Sequence, residues 1–195
     1  AMVQAKGWQQ FTRLGIYAKW KNFEAQIAPE FVYAENKIFE DYPETLDGVH
    51  WKDYYRFYNF IELPQRMGEK QYAKFLPGQS FIKFHYKKLS LGVSTENKWW
   101  GPASFNPLLL SSNAPGFLHA AYESTKPIQT IFGSIEWQAI TGVLENSNIE
   151  PLEPRRVYYG TTLYVQKPDK QRLFTGLTVT VQPKFLDGLF VGFAK

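Results

Sequence analysis

FTRLGIYAKWKNFEAQIAPEFVY, residues Phe11–Tyr33, alternates apolar and polar side chains with a period of two. Leu14, Ile16, Ala18 and Trp20 fall on one face, and Arg13, Gly15, Tyr17 and Lys19 on the other. Successive side chains of a strand point to opposite sides, so this rhythm marks a strand with one apolar and one polar face. Lys21-Asn22 reads as a tight turn, after which Phe23, Ala25, Ile27 and Phe31 oppose Glu24, Gln26 and Glu30. The stretch predicts a hairpin.

The same alternation predicts strands over 80–87 and 89–94, where Ile82, Phe84, Tyr86, Leu89, Leu91 and Val93 oppose Lys83, His85, Lys87, Ser90, Gly92 and Ser94. Further strands are expected at 116–124, 130–138, 139–145, 156–166, 172–182 and 188–194. Many have the roughly ten-residue length of outer-membrane barrel strands. Helix is expected only in the long segment 36–78, at Val49–Asn59 and Gly68–Phe75. A connection of that length is usually functional. If the apolar faces meet lipid, then Arg13, Lys19, Lys83, His85, Arg156 and Arg172 point inward with Glu24 and Glu30, forming a polar interior of mixed charge. No repeat or composition shift divides the chain, so one domain over residues 1–195 is expected.

Composition narrows the function classes. The chain is 44% hydrophobic and 21% charged, enough for a folded domain, and its aromatic content of 17% suits strands, aromatic girdles or carbohydrate contacts. No run approaches the roughly twenty apolar residues of a spanning helix, which leaves a strand-built membrane protein open. The absence of cysteine removes disulfides, thiolate nucleophiles and thiolate metal sites. His50, His85 and His119 are scattered, so no metal site is expected, and the lack of G-x-S-x-G, GxxxxGK[ST] and GxGxxG gives hydrolase elbows and nucleotide loops no support. A net charge of +4 spread along the chain, without a nucleic-acid-binding motif, points away from nucleic acid and is compatible with an acidic polysaccharide. Glu96 with Glu123 or Glu136 is the carboxylate pair that glycoside hydrolysis would need, although their spacing does not select them.

Residues 92–116, GVSTENKWWGPASFNPLLLSSNAPG, form an irregular segment between two strand-like runs. Trp99 and Trp100 offer flat apolar faces that stack on sugar rings, and Glu96, Asn97, Ser104, Asn106, Ser111, Ser112 and Asn113 can hydrogen-bond hydroxyl groups. The candidate polysaccharide-binding or loop-defining residues are therefore Trp99, Trp100, Asn97, Glu96 and Asn113. The competing expectation is a structural corner at Trp-Trp-Gly-Pro, with the indoles packed inward.

Asn97-Lys98-Trp99-Trp100-Gly101-Pro102, followed by Leu108 to Phe117 (LLLSSNAPGF), resembles the signature of the capsule assembly Wzi family. Pro29 to Asn36 (PEFVYAEN), Leu63 to Gly68 (LPQRMG) and Pro183 to Leu189 (PKFLDGL) extend the resemblance through most of the chain. The resemblance implies an all-β fold, an antiparallel transmembrane β-barrel with short helices in a long loop, in the outer membrane of a Gram-negative bacterium. It also implies a lectin-like role toward capsular or other surface polysaccharide, with no enzymatic turnover and no cofactor. Family barrels have many more strands than this chain, so it is expected to be a large fragment whose open edges are closed by missing segments or a partner chain. An outer-membrane enzyme acting on glycans or lipids, and a passive porin-like barrel, are the alternatives.

Overall fold

The computed structural model describes residues 5–39, 43, 45–60, 68, 70–105, 107, 109–112, 114–151 and 153–195. Asn113 and the Leu63–Met67 part of the third family motif lie outside them. The elements follow in the order β1 (Gln9–Arg13), β2 (Ile16–Trp20), β3 (Phe23–Ile27), β4 (Glu30–Ala34), α1 (Gly48–Phe60), β5 (Tyr72–Leu76), β6 (Phe81–Tyr86), β7 (Leu89–Ser94) and β8 (His119–Ser124). Then come β9 (Ile128–Gln129), β10 (Gly133–Leu144), β11 (Val157–Tyr158), β12 (Thr161–Thr162), β13 (Arg172–Pro183) and β14 (Val191–Ala194). Among the described residues the protein is all-β apart from one short helix.

A nine-stranded antiparallel sheet runs β14-β13-β10-β8-β7-β6-β3-β2, with β9 beside β10. It is open among the described residues: β2 and β14 end it, and no closed barrel forms. The all-β, antiparallel expectation holds, and the edges left open are those expected of a large fragment, since neither end strand finds the other as a partner among the described residues. The small sheet β1-β4-β5 prolongs three of these strands at one end, since β1 leads into β2, β4 leaves β3 and β5 leads toward β6.

The predicted hairpin over residues 11–33 is present but bent. Gly15 lies so close to Ala28 that an added Cβ would stand 2.9 Å from the alanine methyl, and there the long strands break into β1/β2 and β3/β4. Four other expectations change. The candidate helix at 68–75 gives way to β5, because Tyr72–Leu76 completes the ladder along β4. The two strands expected at 130–138 and 139–145 are one twelve-residue strand, β10, paired along its length with β13. The strand expected at 156–166 is only the two-residue pair β11 and β12, turned by Tyr159 (φ 45°) and Gly160 (φ 76°). The last strand candidate, 188–194, shortens to β14.

Register assigns each side chain to a face. One row runs Trp20, Phe23, Phe84, Leu91, Tyr122, Ala139 and Leu177 across neighbouring strands. This face is open to the surroundings, with Trp20 68% and Leu91 58% exposed. The next row on the opposite face runs Lys19, Glu24, Lys83, Gly92, Ala121, Ile140 and Gly176. There Ala121 and Ile140 are only 3% and 2% exposed. The sheet is thus inverted relative to a water-soluble one: its apolar side is bare and the middle of its charged side is covered, while Lys19 and Arg172 toward its edges stay exposed. Lys19, Lys83, His85, Arg172 and Glu24 all take the predicted charged face, and His85 Nε2 lies 2.7 Å from Glu24 Oε2.

Strand direction sorts the connections. Lys21-Asn22, Lys87-Lys88 and the segments 125–132 and 184–190 turn at one end of the sheet. The long segments 35–71, 95–118 and 145–171 all leave the other. Helix α1 begins at Asp47, whose Oδ1 accepts from the backbone N–H groups of Val49 (3.1 Å) and His50 (3.2 Å), an N-cap. Trp51, Tyr55 and Tyr58, at helical spacing, form its buried face against residues 149–165. Tyr55 Oη donates to Glu153 O (2.6 Å), Asn59 Nδ2 to Leu163 O (3.0 Å) and the Val165 N–H to Asn59 Oδ1 (3.0 Å), while the Arg156 guanidinium sits 3.7 Å above the Trp51 ring. Arg156 therefore belongs to this helix-bearing end and not to the charged sheet face where it was expected.

Candidate functional site

Segment 95–118 lies on the covered face of the sheet and is fixed there at three places. At its start, the Thr95 N–H donates to Ser80 O and its hydroxyl to Gly78 O, both at 2.8 Å. Next, Asn97 and Gln79 bind reciprocally: the Asn97 N–H donates to Gln79 Oε1 (3.1 Å) and Gln79 Nε2 to Asn97 Oδ1 (2.8 Å). Asn97 Nδ2 also donates to Ala114 O (2.7 Å), tying the two limbs of the segment together. The third anchor is Trp100.

Trp100 is 6% exposed and packs in the sheet's core with Ala121 and Ile140, flanked by Leu110, Phe117 and Phe174. Its indole N–H donates to Gln138 Oε1 at 2.5 Å, and Gln138 in turn donates to Glu123. A Cβ on Gly176 would stand 2.6 Å from the indole Cη2, so only a glycine there admits the ring. Trp99, by contrast, is 42% exposed, and its indole N–H donates to Ala103 O at 2.9 Å. That bond closes the Gly101-Pro102 corner and sets one ring at the surface. The neighbouring tryptophans have divided the two roles weighed for them: Trp100 is packed inward and Trp99 is presented outward.

Beneath the segment lies a charged quartet, two residues from the sheet and two from the loop. Lys83 Nζ is 3.2 Å from Glu96 and 3.6 Å from Glu123, and Lys98 Nζ is 3.9 Å from Glu123. Burial pushes the Lys98 ammonium below the ordinary lysine range, opposed by the nearby Glu123 carboxylate. Glu96 is held further by Ser94, whose Oγ donates to Glu96 Oε2 (3.1 Å) and accepts from the Glu96 N–H (2.9 Å). The carboxylates considered as a hydrolytic pair, Glu96 and Glu123, thus do meet, but around a shared lysine. His119 is buried beside them, its Nδ1 2.7 Å from Phe117 O. Among the described residues no three His, Asp or Glu side chains are grouped to hold a metal ion.

Of the candidate residues, the fold brings Glu96, Asn97 and Trp100 together as anchors and leaves Trp99 at the surface, while Asn113 lies outside the described residues. Gln79, Lys83, Glu123, Gln138 and Gly176 complete the site and were not singled out as one from sequence. Glycines placed inside strands, such as Gly142 and Gly176, are the signal there that another part of the chain approaches the sheet closely.

An antiparallel sheet with a bare apolar side and a loop bound over its charged side defines a wall-like member of the all-β class. Residues 3–185 match the family model of the capsule assembly protein Wzi, and the chain belongs to that family. No curated protein and no solved structure gives a match.

Proposed function

We propose that this chain forms part of an outer-membrane β-barrel that holds or organises capsular or other surface polysaccharide without chemical turnover. The observation that carries this reading is the inverted sheet. A contiguous row of exposed Trp, Phe, Leu and Tyr side chains suits contact with lipid, whereas in water it would be an aggregation surface. Membership of a capsule assembly family supports taking the envelope's polysaccharide as the proposed partner. The open edges at β2 and β14 are met by further segments of the protein or by a partner chain, since unpaired edges do not persist in lipid.

Within this reading Trp99 is the contact residue, and Trp100, Asn97 and Glu96 hold its loop. Polymer contact needs only modest affinity per repeat, because many repeats reach the surface together. Turnover is disfavoured by the quartet: glycoside hydrolysis needs two carboxyl groups facing the scissile bond, and Glu96 and Glu123 are both engaged with Lys83 instead.

The test is cell-bound against released polysaccharide in cells carrying Trp99→Ala at normal membrane level. The expected result is unchanged synthesis and export with more polymer released. Shortened glycan products made by the purified parent protein would establish an enzyme instead, and conductance without glycan affinity a passive barrel.

A further inference from the structure

Away from the tryptophan loop, at the same end of the sheet, the hairpin of β11 and β12 ends in Tyr159-Gly160. Tyr159 is 90% exposed and has φ 45°, a left-handed conformation that bulky side chains seldom adopt in a turn usually served by Asn-Gly. Its ring meets that of Tyr158 edge-on, with centroids 4.4 Å apart and planes at 67°. The Tyr158 ring is itself pressed on the first residue of α1: a Cβ on Gly48 would stand 2.1 Å from its Cδ2. Next to Gly48 are the exposed Asp47 carboxylate and the His50 ring, with His50 Nδ1 2.6 Å from Asp47 Oδ1. The backbone caps also use Oδ1, so none of these contacts falls on Oδ2.

We infer that Tyr159, Tyr158 and Asp47 form a second saccharide subsite, in which a pyranose ring stacks on Tyr159 while its hydroxyls reach Asp47 and the tyrosine hydroxyls. The chemistry selects this class of ligand. A pyranose has a C–H face that suits an aromatic ring and rim hydroxyls that suit a carboxylate. The tip is a hairpin of two-residue strands turned at Tyr159-Gly160, which offers an exposed ring for a sugar face. Among the described residues the charged and ring contacts of Asp47 and Tyr159 are with His50 and Tyr158 and not with a lysine or arginine, as recognition of a phosphate or an anionic headgroup would require. The inference rests on the polysaccharide reading above and adds a second contact, far along the chain from Trp99, through which one polymer is held at two points.

Tyr159→Asn is the informative variant, because asparagine keeps the left-handed turn while removing the ring. Asp47→Ser accompanies it, since serine still caps the helix. Binding of the organism's own purified surface polysaccharide is measured by calorimetry on detergent-solubilised parent, Tyr159→Asn, Asp47→Ser and Trp99→Ala. We expect roughly two- to tenfold weaker binding for Tyr159→Asn, with the parent's thermal unfolding temperature, and a further loss when it is combined with Trp99→Ala. If the parent binds and both Tyr159→Asn and Asp47→Ser bind equally well, the subsite is overturned and the broader reading stands. If the parent does not bind the polymer, both are overturned.

Discussion

Trp100→Ala should cost about 3–5 kcal/mol of stability, the range for deleting a large buried aromatic side chain. The ring is enclosed by Ala121, Ile140, Leu110, Phe117 and Phe174, and it fills the space left open at Gly176. Its loss therefore leaves a cavity that the rigid sheet beneath cannot collapse to fill, and it strips Gln138 Oε1 of its indole donor. Trp100→Phe keeps most of the packing and loses the hydrogen bond, so about 1–3 kcal/mol is expected for the unpaired group. Trp99→Ala removes a half-exposed ring and should stay within about 0.5 kcal/mol of the parent. The assay is guanidinium unfolding in detergent followed by circular dichroism, with limited proteolysis of segment 95–118. A Trp100→Ala protein within 1 kcal/mol of the parent, or a Trp99→Ala protein as unstable as Trp100→Ala, would refute the division of roles between the two indoles.

Other expectations follow from the same geometry. Leu91→Arg puts a charge in the middle of the apolar row and should reduce folding into phospholipid bilayers by about 2–4 kcal/mol, measured by urea titration in vesicles. Gly176→Val should displace Trp100 and render segment 95–118 protease-sensitive while β10 and β13 stay paired, as hydrogen exchange would report. The His50 side chain, followed by the backbone N–H groups of His50 and Val49, holds the Asp47 carboxyl below the usual aspartate range. A depressed carboxylate stabilises the fold above its unfolded pKa and loses that contribution as pH falls through the folded value. Protection of the α1 amides should therefore decline at acid pH below about 4, and Asp47→Asn, which still caps, should flatten that dependence.

Period-two alternation placed the hairpin of β2 and β3, the pair β6 and β7, and the long strand β13, because each keeps one apolar face and is bounded by turn residues such as Lys21-Asn22. It failed where pairing overrides local pattern. Tyr72–Leu76, expected as part of a helix, instead completes the ladder on β4. Ala139, taken as the start of a second strand, lies mid-way along β10 with Tyr122 and Leu177 on either side. The motif residues Glu96, Asn97, Trp99 and Trp100 were legible as a group. Their division into anchors and surface was not, since it depends on Gln79, Gln138 and Gly176, which are distant in sequence and brought near only by strand register. The same holds for Glu123, which reaches Lys83 and Lys98 across the sheet.

The most direct test of the account is the environment of the two faces of β6. The chain has no cysteine, so Phe84→Cys and Lys83→Cys each give a unique labelling site on adjacent residues of opposite faces. Each variant, spin-labelled and reconstituted in phospholipid vesicles, is exposed in turn to oxygen, which concentrates in the bilayer, and to a water-soluble nickel chelate. The account predicts that the label at 84 relaxes mainly with oxygen and the label at 83 is shielded from it. Greater chelate than oxygen accessibility at 84, or a water-soluble monomer in which the label at 84 is buried, would contradict it.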